Sequence, residues 1–277
     1  MIGVEIVLNW VAASCYAITT VLVVYLAAFG RKRGERTALW ITSVGVATHL
    51  VALVLRMIQS GHIPVDGDYE NASAAAIFIS IPAALIAWRK PALRLMALAA
   101  IPLALFVLGY GLLHFDEATP LSPMLKSSWL VYHVVFANIS YGAFSLACGA
   151  GIVYLVKERR LRLGRELKLL EKLPDLDDLD DYIFRFVVFG FTSCAMMIVA
   201  GAFWADQLWG SYWSWDPVET WSLISWVIYG LFIHFRVVHH WRGRRLAWLA
   251  VIAIVTVLMS FWGVNMLRGS FHIFKEL

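Results

Sequence analysis

The sequence predicts an all-α fold, a polytopic membrane bundle of about eight transmembrane helices with both termini extracytoplasmic. Three observations predict it. Of the 277 residues, 61% are hydrophobic and 15% are charged, whereas soluble globular domains carry roughly 25% charged residues. Long apolar stretches recur along the chain, each near the ~20 residues that span a hydrocarbon core. Lys and Arg, finally, concentrate on alternate connections. The net charge of +4 is therefore a signal of topology and not of affinity for nucleic acid, and no nucleic-acid partner is expected.

The first span, about Val4 to Gly30, ends at the basic cluster Arg31-Lys32-Arg33. It has no basic region ahead of its apolar run and no small-residue cleavage site, so it reads as a retained helix and not as a signal peptide. The second, about Thr37 to Ile58, carries His49 near its middle and Arg56 near its far end. Gly61 to Asn71 (GHIPVDGDYEN) is a polar connection without Lys or Arg. The third span covers about Ala72 to Trp88 and precedes Arg89, Lys90 and Arg94. The fourth, about Leu95 to Leu113, leads to His114 and the loop Phe115 to Lys126. The fifth, about Ser127 to Val156, is the longest and opens with Trp129 and His133.

A charged connector, 157–181, then interrupts the pattern. Its first half has leucines at helical spacing among charges, as in an amphipathic helix on a membrane surface. Its second half, PDLDDLDD, reads as an acidic turn, and the whole as a solvated connector. The sixth span is about Phe184 to Phe203. The seventh, Pro217 to about Phe235, carries His234, and the eighth, about Leu246 to Leu267, leads to a tail with His272. Residues 1–277 form a single integral-membrane domain on this reading. The connections after spans one, three, five and seven hold eighteen of the twenty-three Lys and Arg. By the positive-inside rule, those connections are cytoplasmic, and the 204–221 segment, His114, His133 and His272 are extracytoplasmic. His234 lies seventeen residues after Pro217, or about 25 Å down a helix at ~1.5 Å per residue, near the opposite leaflet.

Cys15, Cys148 and Cys194 are isolated within apolar runs, and no C-x-x-C pair exists. Neither a thiol relay nor a cysteine metal site is suggested. The stretch the chain is organised around is Trp204 to Trp221, WADQLWGSYWSWDPVETW. A single Trp here has an ordinary reading, since Trp and Tyr line membrane–water interfaces. Asp216-Pro217-Val218-Glu219 likewise reads as a helix start, with Asp as N-cap, Pro at the first helical position and Glu closing a capping box. Density is what the ordinary reading leaves over. Trp209, Trp213 and Trp215 fall within seven residues, beside Gly210 and Tyr212. The segment is read as lying at the membrane surface with its rings toward something flat, a large planar cofactor being the candidate.

WGSYWSWDPVETWSLISW resembles the tryptophan-rich "WWD" signature of the haem-handling proteins of cytochrome c assembly, the CcsA/ResC and CcmC group. The family pattern is roughly W-G-x-x-W-x-W-D-x-K-E, and this chain departs from it at Val218, where a Lys is usual. The resemblance covers most of the chain from Gly61 onward. It implies a system II cytochrome c biogenesis function: transport of haem b and its presentation for covalent attachment to an apocytochrome c that brings its own Cys-x-x-Cys-His motif. It also implies a CcsB/ResB-type membrane partner, a haem lyase or holocytochrome c synthetase activity belonging only to the complex, and a multi-pass location in the inner (plasma) membrane.

Neutral imidazole is a natural axial ligand for haem iron. Paired histidines flanking the motif have this role in the resembling family, and His133 and His272 match them. A further family histidine on the helix after the motif matches His234. The cofactor-binding candidates are thus His133, His272 and His234 as iron ligands, with Trp204, Trp209, Gly210, Tyr212, Trp213, Trp215, Asp216 and Trp221. Arg56, Lys126 and Arg268 are outer-side candidates for propionate contacts. His49 is read as satisfied by a neighbouring helix, His62 as solvated or loop-ordering, His114 as shaping the rim, and His239 and His240 as headgroup contacts. The alternatives are a CcmC-like protein that hands haem to a chaperone, a HemX-like regulator, and a quinone- or ion-handling protein whose tryptophans are only an interfacial belt.

Overall fold

The structure is a computed structural model and describes residues 2–29, 34–164 and 173–263. All regular structure among the described residues is helical. The helices are α1 (Ile2–Phe29), α2 (Glu35–Ser60), α3 (Gly67–Arg89), α4 (Arg94–Leu98), α5 (Ile101–Leu113), α6 (Ser128–Arg162), α7 (Leu176–Trp209), α8 (Pro217–Val237) and α9 (Arg244–Leu258). A short π-helical turn, Met259–Gly263, extends α9. Eight segments are long and apolar enough to cross a membrane, α4 and α5 counting as one with the 3₁₀ turn Pro91–Leu93 before them. The all-helical, multi-span class read from the sequence is the class observed.

Helix ends depart from the hydropathy boundaries, for electrostatic reasons. Helix α3 starts at Gly67, not Ala72, so Asp68 and Glu70 belong to its first turn. The supposed acidic turn is the start of α7, with Asp177 and Asp178 in its first turn. Carboxylates at a helix N-terminus meet the positive end of the helix dipole and stabilise it. Basic residues do the converse at a C-terminus, and α6 runs on through Arg159, Arg160 and Arg162. Of the expected amphipathic helix, residues 157–162 are therefore the end of α6; the expectation for 165–172 lies outside the described residues. The fourth span is broken at Ala99–Ala100, because Pro102 sits in the first turn of α5 and has no N–H for the preceding helix.

Helix α6 occupies the centre. It packs along α7 and also against α3 and α9, while α1 pairs with α2 and α3 with α5. Its middle is a run of small buried residues, including Ala147 and Ala150, which lets neighbouring helices approach closely where lipid supplies no hydrophobic drive. Phe144 of α6 stacks on Tyr229 of α8, centroids 3.5 Å apart at 4°. At the end of the bundle holding the basic connections, Arg236 of α8 pairs with Asp180, and with Asp181 at 2.7 Å, on α7. The Gly243 amide donates to the other oxygen of Asp180 at 2.8 Å. One buried ion pair thus ties α7, α8 and the start of α9.

Candidate functional site

Alternation of the spans brings the ends of α2, α5 and α7 and the starts of α3, α6 and α8 to the end of the bundle that carries the tryptophan segment. The segment is not one surface loop. Trp204 to Trp209 are the last turns of α7, Gly210 ends that helix at φ 73°, and α8 begins at Pro217. A left-handed φ is open to glycine without steric penalty, and the Gly210 amide donates to the Asp206 carbonyl. Trp215 takes φ 60° with a bulky side chain, a sparsely populated conformation for such a residue, and the residue is 69% exposed.

The capping box read from the sequence is present. Asp216 Oδ1 accepts from the Val218 amide at 2.8 Å, and Glu219 Oε2 accepts from the amides of Asp216 at 3.2 Å and Ser214 at 2.8 Å. Asp216 is 3% exposed, so it shapes the loop by capping α8 and not by facing the cleft. Asp216→Ala is expected to destabilise the protein by about 0.5–2 kcal/mol, seen as a lower thermal midpoint in detergent. Asp216→Asn should keep most of the stability.

A small open cleft lies among α6, α7, the 210–216 loop and α8. It brings together His133, Trp204, Tyr212 and Trp213 of the sequence candidates. Its remaining wall includes Gly201, Val218, Glu219 and Ser222. His133 Nδ1 lies 2.9 Å from the Met197 carbonyl of α7. A carbonyl only accepts, so Nδ1 carries the proton and Nε2 keeps the lone pair that binds a metal. Gly201 makes that pose possible, since a Cβ there would sit 2.6 Å from His133 Nδ1. The His133 ring leans on Trp204, centroids 6.3 Å apart, and Trp204 is 3% exposed in a small core with Val65, Leu125 and Leu130. The loops before α3 and α6 therefore buttress the histidine from behind.

The tryptophans do not form one plane. Trp213 and Trp215 cross at 89° and Trp204 and Trp209 at 64°, so the aromatics offer separate faces and edges. Trp129 stacks on Phe203 at 4.5 Å, and Phe203 meets Tyr212 edge-on. The Tyr212 hydroxyl is pushed above its ordinary pKa by the charge of Asp206 and by its hydrogen bond to that carboxylate. Val218, where the resembling pattern has Lys, lines the cleft and makes that part of the wall apolar. Trp209, Gly210, Trp215, Asp216 and Trp221 lie outside the lining.

His234 is at the far end of α8, exposed, its ring 5.3 Å from that of His239. His272 and Arg268 lie outside the described residues. Arg56 is not a propionate contact. It is 4% exposed, pairs with Glu70 at 2.7 Å and donates to the Asp116 carbonyl at 2.8 Å. Lys126 is exposed beside the Ser127–Gln207 hydrogen bond that joins the start of α6 to α7. His62 holds the 61–66 and 114–127 loops together through the Ile63 and Thr119 carbonyls, as a loop-ordering residue should. His114 bonds the Tyr110 carbonyl and is outside the cleft lining. Gly201 and Glu219 were missed as site residues. A glycine inside an apolar helix, one turn before Trp204, was the available signal for the first.

Eight apolar helices and an aromatic cleft at one end define a multi-pass helical membrane protein with a histidine-bearing site near one surface. Residues 68–272 match the cytochrome c assembly protein family, and the chain belongs to that family. It is of the CcsA type. It is 34% identical over 259 residues to a cytochrome c biogenesis protein CcsA of Synechococcus sp. (strain CC9902), covering 83% of this chain and 84% of the relative. It is 32% identical over 292 residues to a CcsA of Synechococcus sp. (strain CC9311), covering 93% and 95%. A CcsA of Guillardia theta is 32% identical over 250 residues, 83% of each chain. The fold is shared with the cytochrome c haem lyase CcmF at a TM-score of 0.68 and 17% identity, over 93% of this chain and 46% of that one. This chain thus acts in cytochrome c biogenesis.

Proposed function

We propose that the chain carries haem b across the inner (plasma) membrane and presents it at the tryptophan end for covalent attachment to an apocytochrome c, in complex with a CcsB/ResB-type membrane subunit. His133 and His272 are the iron ligands of this reading, with Trp204, Tyr212 and Trp213 around the macrocycle. The observation that carries it is His133, fixed by Met197 and Gly201 in the lining of a cleft walled by aromatics. Haem made inside first meets His234, with a second ligand from the partner, and then moves to the outer site. The distribution of Lys and Arg supports an extracytoplasmic cleft. The apocytochrome supplies the thiols, in keeping with the isolated, non-paired cysteines of this chain. Haem-lyase activity belongs to the complex.

The test is the visible spectrum of the detergent-purified chain after dithionite, with and without the partner. A six-coordinate low-spin haem, increased by the partner in a His234-dependent way, is the expected result. Haem bound but never attached on co-expression with partner and apocytochrome would favour CcmC-like delivery. No haem in demonstrably folded protein would reject the reading in favour of an interfacial belt.

The fit of His133 against α7 makes a second test. Gly201→Ala puts a methyl where the imidazole packs, so the ring must leave the Met197 carbonyl. We expect haem content to fall several-fold with helicity unchanged, read as the haem-to-protein ratio with circular dichroism as control.

A further inference from the structure

Two loops meet at the tryptophan end, 61–66 before α3 and 114–127 before α6, and two basic side chains pin them together. Arg56 of α2 is the first. It pairs with Glu70 at 2.7 Å, and Glu70 Oε2 accepts from the amides of Val65 at 3.1 Å and Asp66 at 3.0 Å. On the other side Arg56 donates to the carbonyls of Asp116 at 2.8 Å and Glu117 at 3.4 Å. A guanidinium keeps its charge at every pH a folded protein meets. That pin is permanent.

His62 is the second, and its chemistry differs. Its side chain is 7% exposed. Nε2 lies 3.0 Å from the Thr119 carbonyl and Nδ1 2.7 Å from the Ile63 carbonyl. Carbonyl oxygens only accept, and a neutral imidazole has one N–H. Only the imidazolium donates to both. In the neutral ring one nitrogen turns its lone pair on a carbonyl oxygen, and one of the two bonds is lost. His49 shows the contrast: its nitrogens face the hydroxyls of Ser73 and Tyr16, which give or take, so a neutral ring suits it. The charged groups around His62 are Glu70 of α3, whose Oε2 is 3.8 Å from Nδ1, Arg56 of α2 behind it, Asp66 of the same loop, and Asp116 and Glu117 of the facing loop.

The pinned loops are the wall behind the site. Val65 of one and Leu125 of the other pack with Leu130 and Trp204, and the His133 ring leans on Trp204. Arg56 grips the facing loop at residues 116 and 117. Beyond them, the Thr119 carbonyl makes the one hydrogen bond with the 61–66 loop among the described residues. We propose that His62 is a positioning residue for the cleft. As an imidazolium it holds Thr119, and with it Leu125, against Trp204. When the ring gives its proton to bulk water, the 118–127 stretch loosens and the wall behind His133 loosens with it. The clamp is therefore present on the acid side and lost as pH rises. It depends on the cleft alone and not on what the cleft binds.

The experiment is hydrogen–deuterium exchange of the full-length, haem-free protein in lipid nanodiscs, corrected for the intrinsic pH dependence of amide exchange. It compares about pH 5.5 with about pH 8.5, a range that spans ordinary histidine titration and lies above that of carboxylates. The amides of Leu125, Lys126 and Ser127, bonded within their loop, report the stretch. Their protection should fall about fivefold or more across that range in the wild type, while the start of α3, held by Glu70 and Arg56, stays unchanged. His62→Gln should remove the step. His114→Ala, which alters the histidine at the start of the facing loop, should keep it. A merely structural His62 gives a different pattern: a flat wild-type profile, and equal loosening at both pH values in His62→Gln. A flat wild-type profile overturns the proposal, as does a step that survives His62→Gln or disappears in His114→Ala. Should His62→Gln fail to fold, His62→Asn replaces it, and the wild-type profile still decides.

Discussion

Replacing His133 by alanine is expected to abolish haem binding at the tryptophan end and, with it, cytochrome c maturation, each by at least tenfold. The ring is held in one tautomer by the Met197 carbonyl and seated on Gly201, so its Nε2 carries the imidazole lone pair. No other described histidine lines the cleft to replace it. Truncation leaves a space of imidazole shape beside an intact acceptor, so added imidazole should restore the low-spin spectrum. The loss should be functional and not structural, because Met197 is a helical residue whose carbonyl also serves the α7 ladder. The checks are the reduced absorption spectrum with and without imidazole, and haem staining of cytochromes made on co-expression with the partner. His114→Ala, which alters a histidine outside the cleft, should bind haem like the wild type. Full haem content in His133→Ala would remove this residue from the site.

What could be read from the sequence follows from how local each determinant is. The spans were legible because hydropathy summed over some twenty residues is a local property. The helix starts at Gly67 and Leu176 were not, because acidic residues that stabilise a first turn look like loop to a hydropathy scan. The capping box at Asp216 and Glu219 was legible, all its partners lying within six residues. His133 and the aromatics of the 204–221 segment could be chosen by type and motif. The role of Gly201 could not, since it depends on α6 meeting α7 at one height. Arg56 was taken for an outer cation because its partner Glu70 sits on another helix. The crossing of Trp213 and Trp215 also depends on backbone geometry, namely the positive φ of Trp215.

Breaking the ion pair at the basic end should cost more stability than any change in the cleft. Arg236→Met leaves Asp180, whose side chain is 2% exposed, with the Gly243 amide as its remaining described donor. An unpaired buried charge costs about 3–5 kcal/mol, and the Arg236 guanidinium also lies 5.4 Å over the Phe184 ring. The pair joins the first turns of α7 to the last turn of α8, so its loss frees the end that carries His234 and His239. Asp180→Asn in the Arg236→Met background removes the stranded charge while the amide oxygen still accepts from Gly243. The double variant should therefore be more stable than Arg236→Met alone, a non-additivity that thermal unfolding in detergent will read. If Arg236→Met costs less than about 1 kcal/mol, the pair behaves as a water-screened surface bridge. The three helix ends are then held by apolar packing, and the position of His234 owes nothing to Asp180.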